Sequence, residues 1–198
     1  MGHRIRLALL TVVLICVSLA AVGETTQLVG WTETLELSWD PFLATPPPNA
    51  SPMDIAGISM DLKWHAPYEG KRNGSGWIGY TTTVIVSNTM NPQLSWARRD
   101  AVTPAALRHE TYLFRLNEVY RRKAEAALLA VRVTGRTAEE TKALLNQRVC
   151  EVAATILAQA DAMGNTCESE TSCGSNLAAQ AEWEQRIDAW LIDPSLAP

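Results

Sequence analysis

The chain has 198 residues, of which 47% are hydrophobic and 19% charged, with 17 basic against 21 acidic residues. That suits one globular domain with enough apolar material for a real core, and no fixed-period repeat or low-complexity tract is present. The acidic balance, with no basic patch interleaved with aromatics, argues against nucleic acid as a partner.

The first residues read as a signal for export. His3, Arg4 and Arg6 form a basic start, Leu7 to Val22 is an uncharged apolar run, and Ala21-Val22-Gly23 offers small residues before Glu24. The run of 16 residues is short for a spanning helix. Residues 1–23 are therefore expected to be removed, leaving a single α+β domain over 24–198 with no stable membrane span. That domain is β-rich over 24–97 and helical over 103–193. Cleavage takes Arg4 and Arg6 but no acid, leaving 15 basic residues against 21 acidic and a balance of −6. The expected location is periplasmic or extracellular. Cys16 falls inside the signal.

In the mature chain, Val29, Trp31, Leu35, Leu37 and Trp39 alternate, with Glu33 interrupting, and predict one or two strands over 24–39. Pro46-Pro47-Pro48 then makes an extended surface loop. Residues 55–66 alternate again through Ile58, Met60, Leu62 and Trp64, and residues 77–88 through Ile78, Tyr80, Thr82, Val84 and Val86. Between them the polar stretch Pro67 to Gly76 reads as the loop of a long β-hairpin. This small antiparallel sheet needs a cover.

Asn91-Pro92 breaks the strand and Ser95-Trp96 reads as linker. Thr103-Pro104 is a good helix start, with Thr as N-cap and Pro at the first helical position. The helix is expected to run to about Val131. Leu113, Leu116, Tyr120, Ala124, Ala127 and Val131 form its apolar stripe, while Arg121, Arg122, Lys123 and Glu125 read as a solvated face. A second helix begins at Thr137, where Glu140 completes a capping box, and is expected to end near Gly164. Its apolar positions are Leu144, Val149, Val152, Ile156 and Leu157. A polar loop, Asn165 to Asn176, leads to a third helix from about Leu177 to Leu191, with Trp183, Ile187 and Trp190 on one side. Most of the seven tryptophans are expected to seal the interface between sheet and helices.

The mature cysteines are Cys150, Cys167 and Cys173. In an oxidising compartment one disulfide is expected and one thiol is left over. Cys167 with Cys173, both in the polar loop, is the favoured pair, with Cys150–Cys167 the alternative.

The central helix carries His109-Glu110, the opening of an H-E-x-x-H zinc motif. There two histidines four residues apart share a helix face and hold the metal, and the glutamate deprotonates its water. Leu113 stands at the fourth position after His109 and has no donor atom. His65, at a strand end, reads as a surface histidine.

The ordered landmarks resemble a family of bacterial exported proteins, a domain of unknown function described as predicted secreted zinc-dependent proteases. They are Leu37-Ser38-Trp39-Asp40-Pro41-Phe42, Ser95-Trp96, the His109-Glu110 helix and Glu118-Val119-Tyr120-Arg121-Arg122. Glu170-Thr171-Ser172-Cys173-Gly174 and then Gln180, Trp183 and Ile187 complete the set. The resemblance implies metal ligands at His109, at Leu113 and at Cys173, with Glu110 as general base. Leu113 and Cys173 both replace histidines of the family pattern. It therefore implies a degenerate protease-like domain that binds no cofactor and acts on an unknown protein or peptide of the cell envelope by binding or as structure. The alternative is an active zinc peptidase with altered ligands, His109 and Cys173 with a carboxylate such as Glu170, or with His65. Glu118, about half a helical turn away from the His109 face, is expected to pair with Arg115 or Arg122.

Overall fold

The computed structural model describes residues 27–51 and 53–198. The expected signal peptide, with Cys16, lies outside the described residues, as does the start of the first expected strand.

Among the described residues eight short strands and three helices follow one another as β1 (Val29–Gly30), β2 (Ala56–Gly57), β3 (Met60–His65), β4 (Tyr68–Asn73), β5 (Gly76–Thr81), β6 (Ile85–Met90), β7 (Trp96–Ala97), α1 (Pro104–Leu129), β8 (Arg132–Gly135), α2 (Ala138–Thr171) and α3 (Leu177–Ile192). A 3-10 turn, Pro194–Leu196, follows α3. The fold is α+β, with small antiparallel sheets set against a long central helix, as the sequence predicts.

The expected hairpin is present but differently built. The stretch read as its loop, Pro67 to Gly76, is mostly strand: β4 pairs with β5 from Tyr68↔Thr81 to Asn73↔Gly76. The turn shrinks to Gly74 and Ser75, with Gly74 at φ +60, the left-handed opening residue that a two-residue hairpin turn needs. Further down, β3 pairs with β6 from Met60↔Met90 to His65↔Ile85. Between the two ladders Ala66 and Pro67 face Thr82, Thr83 and Val84, so one arm carries an extra residue. Pro67 cannot donate to the ladder, but its carbonyl accepts the Thr82 N–H at 3.0 Å. The ribbon bends there and its halves enter different sheets, β1-β6-β3 and β4-β5-β8.

Other boundaries move for local reasons. Of residues 27–39 only Val29–Gly30 is strand, paired with Thr89 and Met90 of β6. The rest turns back on itself, yet Trp31, Leu35, Leu37 and Trp39 still pack around the buried residues Phe42, Met90, Ala97 and Phe114. Trp96 is not linker, since β7 pairs with β2. The last turn of α1 is held by Thr81, whose hydroxyl donates to the Leu128 and Leu129 carbonyls at 2.8 and 3.1 Å. The strand β8, absent from the sequence reading, then pairs with β5.

The N-caps fall where expected. The Thr103 side chain accepts from Ala106 N–H at 3.0 Å and Thr137 from Glu140 N–H at 3.1 Å. The far end of α2 does not. The helix passes through Gly164, where nothing crowds the missing side chain, and continues to Thr171. One glycine in a long helix costs about 1 kcal/mol and does not stop it. The loop therefore shortens to residues 172–176, and Cys167 is a core residue of the helix. This separates the expected disulfide partners. Cys150, Cys167 and Cys173 are all free, Cys150 is exposed, and neither proposed pair forms. Leu144 also faces outward; Leu145 takes the buried position.

The main core joins all three helices to β3 and β6 through Leu62, Val86, Leu113, Leu116, Tyr120, Leu128, Ile156, Trp183 and Ile187. Trp183 is the tryptophan buried to its full extent; Trp64 is exposed and the others are half-buried. Among the described residues no helix is long and apolar enough to cross a membrane.

Candidate functional site

The first turns of α1 decide the chemistry. With Thr103 fixing the start, His109, Glu110, Leu113 and Phe114 all turn inward and are 2%, 4%, 5% and 1% exposed. Two of these are polar, so each must find a partner.

His109 finds one on α3. Its Nδ1 lies 2.9 Å from Gln180 Oε1. The Gln180 amide nitrogen donates to Glu184 Oε1 at 3.1 Å, and the other Glu184 oxygen pairs with Arg108. A carboxylate only accepts, so the amide orientation is fixed and Gln180 Oε1 faces the imidazole as an acceptor. His109 Nδ1 is therefore the donor. Burial lowers the His109 pKa, with the Gln180 contact working against the shift. The neutral ring then carries its lone pair on Nε2.

Glu110 points the other way, toward the connection between β2 and β3, where its Oε2 accepts the Ile58 N–H at 3.1 Å. Burial, and then the nearby charge of Glu168, pushes its pKa up to about 8, against the pull of the Ile58 N–H. At neutral pH this carboxyl holds its proton, and a protonated carboxyl is not a general base.

The chain after α2 closes over His109. Ser172 and Cys173 stand in left-handed conformation at φ 49 and 52, followed by Gly174 at φ +80. A side chain at Gly174 would lie 2.6 Å from His109 Cβ and 2.9 Å from its Cγ, so glycine is required for this contact. Cys173 is exposed beside it. Partial desolvation, and then the charges of Glu168, Asp54 and Glu110, raise its thiol above the ordinary range, so it is not a ready thiolate.

Sequence reasoning brought together His109, Glu110, Leu113 and Cys173. The structure places His109, Glu110 and the Cys173 loop in one neighbourhood, with Leu113 one turn along α1 as part of the main core. These residues do not fit a zinc ion. A catalytic site needs three donors and an open position. Leu113 supplies none, and among the described residues no group of three His, Cys, Asp or Glu side chains could hold a metal. The alternative ligands are engaged elsewhere. Glu170 accepts from Trp183 Nε1 at 2.8 Å. His65 is an exposed residue opposite Ile85 at the end of β3.

Glu118 pairs with Arg122 as expected, and with Arg121 as well, at 2.9 Å in each case. Arg115 instead pairs with Asp188. Arg121 and Arg122 are thus not a solvated face. They fold over a carboxylate that is 1% exposed.

The partners Gln180, Glu184, Arg108, Ile58 and Glu168 were not assigned roles from sequence. One signal was present: Gln180 and Glu184 share the three- and four-residue steps of Trp183, Ile187 and Leu191, so polar residues stand on a buried stripe. No family model, curated protein or solved structure matches the chain.

Proposed function

We propose that this chain is an exported cell-envelope domain of the predicted secreted zinc-dependent protease type that no longer performs the hydrolysis and acts by binding a protein or peptide, or as structure. The observation that carries this reading is the split fate of the motif. Residues the resemblance aligns far apart in sequence meet: Gly174 against His109, Gln180 on His109 Nδ1, and Trp183 on Glu170. At the same time Leu113 is built into the core and Glu110 is buried on a backbone N–H. The architecture of the family is favoured while its chemistry is not.

The test is metal analysis of the purified mature protein together with a general peptidase assay. Zinc well below one equivalent after dialysis against a mild chelator, with no cleavage, is the expected result. Stoichiometric zinc, or cleavage abolished by a chelator, overturns the reading. The closeness of the Cys173 loop to His109 favours a second reading, an active zinc peptidase using His109, Cys173 and a carboxylate. In that case His109→Ala and Cys173→Ser each remove both metal and activity.

A further inference from the structure

The outer edge of the bent ribbon is unclaimed. β4 pairs with β5 on one side only, at the end of the sheet β4-β5-β8. Glu69 to Asn73 are exposed and Tyr68 is half-buried. The ladder fixes which way the β4 backbone points. The Pro67 carbonyl accepts the Thr82 N–H, so Tyr68↔Thr81 is a non-hydrogen-bonded pair. Pairs alternate along the ladder. Glu69, Lys71 and Asn73 therefore bond inward to β5, while Tyr68, Gly70 and Arg72 turn their N–H and C=O outward. Among the described residues those outward groups have no hydrogen-bond partner.

Such an edge is a template for another strand, and charged side chains usually blunt it. On β4 the charges are arranged to attract. Gly79, opposite Gly70, faces Thr141 and Leu145 of α2, so Glu69 and Lys71 stand on the other face of the sheet. Glu69 accepts the Tyr80 hydroxyl on one oxygen, at 3.1 Å, and keeps the other. Lys71 and Arg72 have no carboxylate partner among the described residues, whereas Lys63 on β3 pairs with Asp61 at 3.5 Å.

A second copy of β4, laid antiparallel along this edge with the two Gly70 residues opposite, meets a complementary surface. Tyr68 of each copy faces Arg72 of the other, and Glu69 of each faces Lys71 of the other. The pairs Tyr68–Arg72 and Gly70–Gly70 bring outward groups together, and each exchanges both N–H···O bonds. Pro67 falls where no outward N–H is needed. The neighbouring registers that keep these bonds set Lys71 against Lys71 or Glu69 against Glu69, which like-charge repulsion disfavours. A slip of one residue sets outward groups against inward ones. One register satisfies both hydrogen bonds and charge.

We propose that β4 is a self-complementary docking edge through which two copies of this chain join about a two-fold axis at Gly70, in one continuous sheet β8-β5-β4-β4-β5-β8. The contact is small, so the dimer is reversible and fills as concentration rises. It stands whether or not the chain binds a metal or a peptide.

The experiment is sedimentation equilibrium of the full mature chain over a range of concentrations. The native chain should pass from monomer to dimer. Glu69→Lys and Lys71→Glu each create like-charge pairs on both sides of the axis and should weaken the dimer by about 10-fold or more. Mixing these two variants should restore pairing, because each altered edge then meets its opposite. The double variant Glu69→Lys with Lys71→Glu should restore it as well. Gly70→Pro removes an outward N–H, leaves the inward ladder intact and should abolish the dimer. All three positions are exposed, and unchanged melting of the dilute variants separates lost pairing from lost folding. In amide exchange, β4 should exchange early in the dilute monomer, and Tyr68, Gly70 and Arg72 should slow at high concentration. A native chain that stays monomeric to about 1 mM overturns the proposal and leaves the edge to an extended segment of another protein. A dimer that ignores Gly70→Pro and the charge changes uses another surface and overturns it too.

Discussion

Glu118 shows how α1 handles charge. Its carboxylate receives Arg121 Nε on both oxygens, at 2.9 and 3.0 Å, and Arg122 Nε at 2.9 Å. The two guanidinium groups reach on to the carbonyls of Val86 and Leu191. One buried acid thus ties α1 to β6 and α3. Glu118→Ala leaves two arginines facing an empty cavity and should destabilise the fold by about 3–5 kcal/mol, read from urea denaturation. Glu110 behaves in the opposite way. Its folded pKa of about 8 stands above the ordinary carboxyl value of 4.5. Its stabilising contribution is therefore complete below the unfolded pKa and is lost as pH rises through the folded one. Glu110→Gln keeps an acceptor for the Ile58 N–H without the titration. The variant should melt near the native temperature at pH 4.5 and above it at pH 8–9; equal melting temperatures across that range would contradict the assignment. The sequence named His109, Glu110 and the Glu118–Arg122 pair because motif spacing and i,i+4 steps are local. It could not name Gln180 as the His109 partner, because that bond spans two helices and depends on how α3 docks.

At the scale of elements, starts were easier to read than ends. Thr103 and Thr137 cap their own helices through contacts three residues away, so the signal lies in the local sequence. Thr103→Ala should cost about 1 kcal/mol of stability in the same denaturation assay. The end of α2 follows different physics. Gly164 looked like a stop and is none; the stop is the left-handed run at residues 172–174, set by its packing on His109. Gly174→Ala places a Cβ into the imidazole in a backbone conformation unsuited to it, and should destabilise strongly. Cys173→Gly, by contrast, relieves a left-handed non-glycine residue and should stabilise the fold by roughly 1 kcal/mol. The opposed signs at adjacent positions are the check. Likewise the alternation of residues 55–66 and 77–88 revealed a hairpin. The bend at Pro67 and the addition of β8 depend on partners distant in sequence, and no local pattern announces them.

For the whole molecule, the cysteines report on the packing of the fold. Cys150 and Cys173 are exposed, whereas Cys167 is buried in the main core and burial pushes its thiol up to about 12. Of these three thiols, Cys150 and Cys173 should alkylate in the native state and Cys167 only on unfolding, with no mass change on reduction. A native mass two hydrogens short of three free thiols would reinstate a disulfide. The bend in the β3–β4 and β5–β6 ribbon reaches further. Its inner half rests on α1, while its outer half rests on α2 and β8. A single hairpin is thus divided between two packing environments, whose halves should open with separate free energies. The tip, with β4 largely exposed, belongs to the weaker one. Amide exchange should therefore run ahead through Tyr68–Tyr80 while Leu62–His65 and Ile85–Met90 stay protected with the central helix. The hairpin would open from its turn as far as Pro67 and stop there, which makes that proline the boundary between what fluctuates and what holds His109 in place.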